Sequence, residues 1–280
     1  VYIPLVYQKA MTFFFGGGIP ASITMPFAGV KKLKDYFNVV TDTIREGADS
    51  EDLRESDIIR RTDFTGVDFA LAAANNPDTG KGFDETAVNL DPEKGPIDNG
   101  YRPISLQYRP YYADPEFVRP YPIGVDPEEE TAWVGAGGER GRSRYYGGKT
   151  VQAENESSLD LILNTRKLVG GIPVAVYLTV TNPMCFYEFE PQVDVILVGF
   201  SVSDDAALEA LSGNYEPSGL LPCQMPADME TVEAQYEDIP FDMICHADSE
   251  GNVYDYGFGL NFSGVISDWR TEQYGRSAYK

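Results

Sequence analysis

The residue types best suited to bind a ligand are concentrated between residues 75 and 149. This segment is rich in Tyr, Arg, Pro and Gly, with runs such as YRPISLQYRPYYADPEF and AWVGAGGERGRSRYYGG. Aromatic rings stack on the faces of sugar rings, and arginines beside carboxylates form planar hydrogen bonds with hydroxyl groups. The same side chains also pack long ordered loops against themselves. The composition is therefore compatible with a sugar-binding surface and with a structural loop, and it does not choose between them.

Histidine and cysteine chemistry has little support in the sequence. His246 is the only histidine and no GxSxG motif accompanies it, so a structural or loop histidine is predicted rather than a serine–histidine–aspartate triad. Cys185, Cys223 and Cys245 are odd in number and widely spaced, which argues against a disulfide framework or a CxxC metal site. We expect them to be small core residues. This cysteine usage favours the cytoplasm over secretion without excluding either.

Metal ions and nucleotide cofactors are not predicted. The order of Asp248, Glu250 and Asp255 loosely resembles a calcium loop, but the regular acidic spacing and the final glutamate of such a loop are missing. An ordinary hairpin turn is therefore predicted there. No GxGxxG or GxxxxGK[ST] motif follows a predicted strand.

The charge balance limits the classes of partner. The chain has 44 acidic and 22 basic residues, for a net charge of −22. Nucleic acids and anionic membrane surfaces are bound by clustered Lys and Arg, and no apolar run reaches the roughly 20 residues of a membrane-spanning helix. We expect no nucleic-acid or membrane partner, whereas a neutral ligand such as a sugar is compatible with this charge.

Regular elements that could position a site are clearest in the second half of the chain. Apolar strands are predicted at 68–74 (DFALAAA), 172–180 and 193–200, with helices at 157–169 and 203–212 between or after them. Strands that are apolar throughout and alternate with helices indicate a parallel sheet covered on both faces. The predicted fold class is therefore α/β, with an open, mostly parallel sheet sandwiched by helices. Shorter elements are also predicted: helices at 30–37 and 52–61, and strands at 103–108 (PISLQY) and 220–225 (LLPCQM).

Four short motifs follow one another between residues 172 and 260. They are an apolar strand followed by Asn-Pro (173–178 and 182–183), an apolar strand that begins Val-Asp (193–198), the segment GNYEPSGLLPCQMP (213–226) and the closing YGFGLNF (256–262). Their order and spacing resemble the C-terminal α/β sandwich domain of glycoside hydrolase family 3, the β-glucosidase family. VDFALAAANNP and KTVQAENESSLDLI also resemble segments of that domain, so the similarity extends from about Thr65 onward.

The resemblance implies retaining hydrolysis of terminal β-glucosides by two carboxylates. One attacks the anomeric carbon, and the other protonates the leaving oxygen and then activates water. In this family the nucleophile is an aspartate on a preceding TIM-type barrel, and the acid/base is usually a glutamate on a loop of the α/β domain. A barrel needs about 250 residues, and none precedes Val1. The expected partner is therefore a barrel on a separate chain or on a removed N-terminal portion.

The acid/base is expected on the loop that follows DFALAAA. Where the family has a GEG-type motif, this sequence has GKGFDE at 80–85. Lys81 holds the usual glutamate position, and its ordinary pKa of about 10.4 makes it a poor proton donor. Glu85 is the candidate acid/base, and Glu139 in GAGGERGRSR is a second candidate. Asp84, Lys81 and Tyr101 are expected to contact the sugar.

The sequence SDW at 267–269 matches the family's nucleophile motif by its letters. A nucleophile requires the end of a barrel strand, and only residues 270–280 follow. We therefore predict a terminal strand and tail at this position rather than a catalytic aspartate.

The chain is divided by these patterns into three regions. Residues 1–56 form an N-terminal connecting or packing segment, 57–265 the α/β domain with a long irregular Tyr/Pro/Gly-rich excursion at 75–149, and 266–280 a tail. Two functions stay open: the α/β part of a β-glucosidase-like enzyme, or a non-catalytic sugar-binding or assembly module, which Lys81 favours. The Tyr and Arg of the excursion indicate a contact surface toward the barrel or across a homo-oligomer.

Overall fold

The protein is represented by a computed structural model that describes residues 1–12, 18–27, 29–50, 52–79, 103–118, 131–133, 140–142, 146–236, 239 and 241–274. Within these residues the chain forms a five-stranded parallel sheet with helices packed on its faces. The predicted α/β class is thereby confirmed. Of the excursion at 75–149, the structure describes both ends and parts of the middle.

The bounds of the described elements are as follows. The strands are β1 (Tyr2–Ile3), β2 (Val6–Gln8), β3 (Met11–Thr12), β4 (Gly18–Ile19), β5 (Ser22–Thr24), β6 (Val40–Thr41), β7 (Thr43–Ile44), β8 (Ile58–Ile59), β9 (Ala70–Asn75), β10 (Tyr111–Tyr112), β11 (Thr131–Trp133), β12 (Arg140–Arg142), β13 (Thr150–Val151), β14 (Val174–Thr179), β15 (Val195–Gly199), β16 (Leu260–Asn261) and β17 (Gly264–Val265). The helices are α1 (Leu33–Tyr36), α2 (Ser157–Val169), α3 (Asp204–Leu211), α4 (Met229–Ala234) and α5 (Trp269–Tyr274), and 3₁₀ turns span Glu55–Asp57 and Glu190–Gln192.

The central sheet has the strand order β6-β1-β9-β14-β15. Strands β9 and β14 are paired along their whole length, from Ala70 opposite Val174 to Asn75 opposite Thr179. The chain passes from β1 to β6 on one side and then returns to β9 on the other side of β1. In a parallel sheet, this reversal of direction opens a crevice at the carboxyl ends of the two strands, and ligands commonly bind there.

The strands are apolar throughout because helices cover both faces of the sheet. Ala70, Ala72, Val174, Val176 and Leu178 point toward α2 and pack with its apolar stripe. The alternate residues point to the other face and pack against α1 and α3; they are Leu71, Ala175 and Tyr177. This alternation follows from the two-residue repeat of a strand. The rigid centre of the fold is thus the set β9, β14 and β15, as the sequence predicted.

The two longest helices occupy their predicted positions but differ in how they begin. The sequence predicts a serine cap for each helix, Ser203 for α3 and Ser157 or Ser158 for α2. The cap of α3 is confirmed, since Ser203 Oγ accepts a backbone N–H at 3.4 Å. The cap predicted for α2 is wrong, because Glu156 is the N-cap residue and makes no side-chain capping bond. Gly170 ends α2 with a φ of 63°, the left-handed conformation that glycine adopts at low cost.

Several shorter predicted elements are wrong. Residues 52–61 form a 3₁₀ turn and then β8, which pairs with β7, instead of one helix. Residues 103–108 and 220–225 contain no strand, because their backbone groups bond to side chains and loops: Tyr108 N donates to Glu188, and Leu221 N donates to the Phe258 carbonyl. Tertiary contacts override local propensity in each case.

The N-terminal region contributes directly to the sheet. Strands β1 and β6 both lie within residues 1–56 and pair with each other, and β1 also pairs with β9. The proposed divisions at residues 56 and 265 stay predictions. Among the described residues, no helix combines the length and apolar character needed to cross a bilayer.

Candidate functional site

A crevice lies at the carboxyl edge of the sheet, where β1, β9 and β14 end. It has a volume of about 240 Å³. Leu5, Ala74 and Thr179 line it from the strand ends, and α2 and α3 contribute residues from their first turns and beyond. The polar residues that line it include Tyr7, Glu55, Arg60, Asn75, Asn164 and Asp204. The position agrees with the crevice expected from the strand order.

Asp42 is a buried carboxylate that fixes one wall of this crevice. Its side chain has an exposed fraction of 0%. Oδ1 accepts hydrogen bonds from Tyr2 Oη at 2.7 Å and Arg61 N at 2.9 Å, and Oδ2 accepts from Leu5 N at 3.0 Å and Arg60 Nη1 at 2.7 Å. Burial and the bond to Asp42 raise the pKa of the Tyr2 hydroxyl. Four donors, one of them a cation, thus satisfy the hydrogen-bonding capacity of this buried side chain.

The chain leaves the end of β9 along a path fixed by hydrogen bonds. Asn76 N donates to the Thr179 carbonyl at 3.0 Å, and Asn76 Oδ1 accepts from Thr181 N at 3.0 Å. Asn155, just before α2, donates from Nδ2 to the Asn76 carbonyl at 2.8 Å and accepts from Asp78 N at 2.7 Å. The segment that precedes residue 80 is therefore held at the carboxyl edge by residues that follow β14 and precede α2.

The chain returns to the same edge at residues 103–109. Tyr108 is fully buried, and its hydroxyl donates to the carbonyl of Asn75, the last residue of β9, at 2.5 Å. The backbone N–H groups of Tyr108 and Arg109 donate to the Glu188 carboxylate at 2.7 and 2.8 Å. Burial raises the pKa of Glu188, and these two bonds partly oppose the shift. The described residues on both sides of segment 80–102 are consequently anchored beside the end of β9.

The Arg109 side chain holds residues 103–109 against the start of α2. One terminal nitrogen donates to Glu156 and the other to Asp160 Oδ1 at 2.6 Å. Carboxylates in the first turn of a helix are favoured by its dipole, and a forked guanidinium can hold two of them. All three charges are thus used to hold the chain in position.

The predicted site residues are not placed by the structure. Glu85, Glu139, Asp84, Lys81 and Tyr101 all lie outside the described residues. Their roles therefore remain predictions. The structure locates the described residues on either side of the segment that carries residues 81–101.

The sequence reasoning missed Arg60, which lines the crevice, and Asp42, which holds Arg60 in place. Asp42 follows the short strand NVVT directly, and a carboxylate at the end of a buried strand is a recognisable signal. Arg60 had no local signal, because it is separated from Asp42 by 18 residues and meets it through the pairing of β7 with β8.

The other residues considered for chemistry have structural surroundings. His246 is 5% exposed, packs against the rings of Phe186 and Tyr254, and has Nε2 3.5 Å from Glu190 Oε2. This agrees with a structural histidine. Asp248 accepts the N–H groups of Glu250 and Asn252 within a tight turn, so the predicted hairpin turn is confirmed. The described residues contain no group of three potential metal-ligating side chains.

The SDW sequence begins a helix. Asp268 precedes α5, pairs with Arg270 at 2.7 Å and accepts the Arg270 backbone N–H. This arginine lowers the pKa of Asp268. The predicted terminal strand is therefore wrong at this position, since Trp269–Tyr274 is helical.

The cysteines are free thiols in the folded chain. Cys185 is fully buried, as expected for a core residue, whereas Cys223 and Cys245 are half-buried. Burial raises the pKa of Cys245 to about 11, which keeps this thiol protonated and unreactive near neutral pH.

Comparison with known proteins identifies relatives over part of the chain. Beta-glucosidase C of Emericella nidulans is 32% identical over 96 residues, which is 34% of this chain and 15% of that protein. Probable beta-glucosidase C of Aspergillus oryzae is 30% identical over 97 residues, 35% of this chain and 14% of that protein. The same figures hold for the probable beta-glucosidase C of Aspergillus flavus.

These matches cover about a third of the chain and less than a sixth of each relative. No family model matches the chain. The matches to proteins named beta-glucosidase C nevertheless agree with the family that the motifs indicate, and the parallel α/β sheet is consistent with it. The resemblance to the C-terminal α/β sandwich domain of glycoside hydrolase family 3 is therefore confirmed.

Proposed function

We propose that this chain is the α/β part of a retaining, β-glucosidase-like glycoside hydrolase. It acts on terminal β-glucosides together with a TIM-type barrel that lies elsewhere in the same polypeptide or on a separate chain. The observation that carries this proposal is the homology to proteins named beta-glucosidases. The anchoring of the residues that flank segment 80–102 at the carboxyl edge supports it, because that edge is where a parallel sheet presents functional loops.

The proposed division of labour follows from retaining chemistry. The barrel supplies the nucleophilic carboxylate, and this chain supplies the acid/base, which must come within roughly 5–5.5 Å of it. Glu85 is the proposed acid/base, with Glu139 as the alternative. Asp84, Lys81 and Tyr101 are proposed to contact the sugar. Lys81 is a poor substitute for the carboxylate, because the ordinary lysine pKa of about 10.4 is far from the working pH.

The test uses the natural full-length protein, or the complex with its barrel chain, and two β-glucosides. An acid/base is needed for a poor leaving group such as an alkoxide, whereas dinitrophenolate leaves without protonation. Glu85→Gln is therefore expected to lower kcat/KM for an alkyl β-glucoside by about 10²–10⁴-fold and to affect formation of the glycosyl-enzyme from the dinitrophenyl glucoside far less. Added azide is expected to restore turnover by attacking that intermediate.

Matched variants decide between the candidates. Asp84→Asn is the control, because it removes a neighbouring carboxylate that has no proposed acid/base role. It is expected to change KM, with little change in how the rate depends on the leaving group. If Glu139→Gln instead shows the leaving-group dependence and the azide rescue, and Glu85→Gln behaves like the wild type, then Glu139 is the acid/base. Absence of hydrolysis of any aryl β-glycoside by the full-length protein would overturn the enzymatic proposal.

A non-catalytic sugar-binding or assembly module is the second candidate function. The observation in its favour is Lys81 at the position where the family usually has glutamate. Under this alternative the full-length protein retains affinity for glucosides and hydrolyses none of them. The same kinetic measurements, combined with a binding measurement, therefore separate the two functions.

A further inference from the structure

The crevice contains one guanidinium group, that of Arg60, whose orientation is fixed by hydrogen bonds to the protein. Arg60 Nη1 donates to the Leu5 carbonyl at 2.8 Å and to Asp42 Oδ2 at 2.7 Å. Its side chain has an exposed fraction of 34%, while that of Asp42 is 0%. Both of these hydrogen bonds use Nη1, and the Tyr2 hydroxyl also interacts with the Arg60 side chain. The N–H groups on Nε and Nη2 that these partners do not use are the donors that Arg60 offers to a ligand in the crevice. A preorganised donor of this kind loses little entropy on binding.

The charges around Arg60 favour a neutral ligand. Arg60 is the only Lys or Arg among the described residues that line the crevice, whereas Glu55 and Asp204 supply two carboxylates. The chain as a whole carries a net charge of −22. An anion would gain one cation and meet this negative field, whereas hydroxyl groups can accept from the guanidinium and donate to the carboxylates.

The size and remaining lining narrow the ligand class. Asn75 and Asn164 offer amide groups, and Tyr7 offers an aromatic ring. Amides, carboxylates, a guanidinium and a ring together match the alternating hydroxyl and C–H surfaces of a pyranose. A volume of about 240 Å³ is suited to one hexose ring rather than to an oligosaccharide.

We propose that this crevice binds a single neutral hexose unit, with Arg60 donating to its hydroxyl groups and Asp42 acting as the positioning residue for Arg60. The choice of sugar as the ligand class rests on the proposed function. Binding here needs neither the barrel nor Glu85, because all of the residues invoked belong to the described part of this chain. The proposed subsite can therefore be tested independently of the acid/base proposed on segment 80–102.

The chain offers a closely matched control at the opposite edge of the sheet. Arg166 Nη1 donates to the Ile172 carbonyl at 2.9 Å and to Asp194 Oδ2 at 3.2 Å, and its side chain has an exposed fraction of 27%. It therefore repeats the arrangement of Arg60, with a carbonyl and an aspartate as partners, away from the crevice. Loss of either arginine removes similar structural bonds, and only loss of Arg60 removes a crevice donor.

The experiment titrates the full 280-residue chain with methyl β-glucoside and follows saturation-transfer NMR. The wild type is expected to show saturable transfer to the sugar ring. Arg60→Gln is expected to weaken binding by about tenfold or more, Arg60→Lys to weaken it less, and Arg166→Gln to leave it unchanged. Circular dichroism of each variant verifies that the sheet has formed, and the Lys variant keeps the test valid if the Gln variant unfolds.

Specific outcomes would overturn the inference. They are no transfer to methyl β-glucoside at about 10 mM, equal binding of wild type and Arg60→Gln, and tighter binding of inorganic phosphate than of the glucoside, which would indicate an anion site. Equal transfer to a cyclic polyol without a pyranose ring would also refute the hexose class. Because hydrolysis is not measured, an inactive Glu85→Gln enzyme with normal binding separates this inference from the proposed acid/base.

Discussion

Replacement of Asp42 by asparagine is the most direct test of how the crevice is held. The substitution preserves shape and turns one carboxylate oxygen into an N–H donor. Each oxygen of Asp42 accepts two bonds, so two donors lose their acceptor whichever way the amide is oriented. Arg60, two thirds buried, also loses its countercharge.

The magnitude follows from these losses. Each buried donor left without an acceptor costs about 1–3 kcal/mol, and removing one partner of a buried ion pair costs about 3–5 kcal/mol in total. We therefore expect Asp42→Asn to lower the free energy of unfolding by about 3–5 kcal/mol. With a urea slope of about 3 kcal/mol/M, the midpoint falls by more than about 1 M.

Asp194→Asn is the control for this prediction. Asp194 also pairs with an arginine and accepts a backbone N–H, from Val174 at 2.8 Å, but its side chain has an exposed fraction of 49%. Water replaces lost partners at an exposed site, so the expected cost is about 1 kcal/mol. Urea unfolding followed by circular dichroism measures both variants. Equal costs for the two, or a cost below about 1 kcal/mol for Asp42→Asn, would refute the account of the buried network.

Three further predictions concern packing, capping and pH. Gly259→Ala is expected to cost about 1–3 kcal/mol, because its Cβ would lie 2.3 Å from the Gly219 carbonyl oxygen, whereas Gly171→Ala meets no atom within 4 Å and should cost less than about 1 kcal/mol; comparable urea midpoints for the two variants would contradict this. Asp228→Ala removes the side-chain cap of α4 and should cost about 1 kcal/mol of unfolding free energy, and an unchanged midpoint would argue against the cap. Burial raises the folded-state pKa of Glu188, so the folded chain binds that proton more tightly than the unfolded one, and stability should fall as the pH rises from about 4.3 through the raised pKa. Unfolding measured between about pH 4 and about pH 7 should show that the free energy of unfolding of the wild type minus that of Glu188→Gln falls as the pH rises. An increase over this interval would mean that the folded-state pKa of Glu188 is lowered, not raised.

The centre of the fold was predictable because its signals are local. DFALAAA, IPVAVYLTV and VDVILVGF are apolar without interruption, and helices α2 and α3 end at Gly170 and shortly before Gly213. These features depend on residues within one element. The strands β1 and β6 were recognisable as short apolar runs, but nothing local shows that they extend the sheet beside β9.

The predictions failed where distant side chains decide the structure. PISLQY reads as a strand by composition, yet the Tyr108 N–H is taken by Glu188, 80 residues later in the chain. The helix expected at 52–61 is displaced because Ile58 and Ile59 pair with β7. Neither partner can be identified from the spacing of residues in one segment. The same limit applies to Arg60, whose position depends on that pairing.

The two edges of the sheet show why function is expected at only one of them. Each edge has an arginine that donates from Nη1 to a backbone carbonyl and to an aspartate: Arg166 with Asp194, and Arg60 with Asp42. The arginine bonds are alike, although Asp42 is buried and Asp194 is half exposed. What opens space for a ligand at one edge is topology, since the chain reverses direction at the carboxyl ends of β1 and β9 and leaves a crevice there. A structural ion pair becomes a candidate ligand donor because the strand order places open space in front of it.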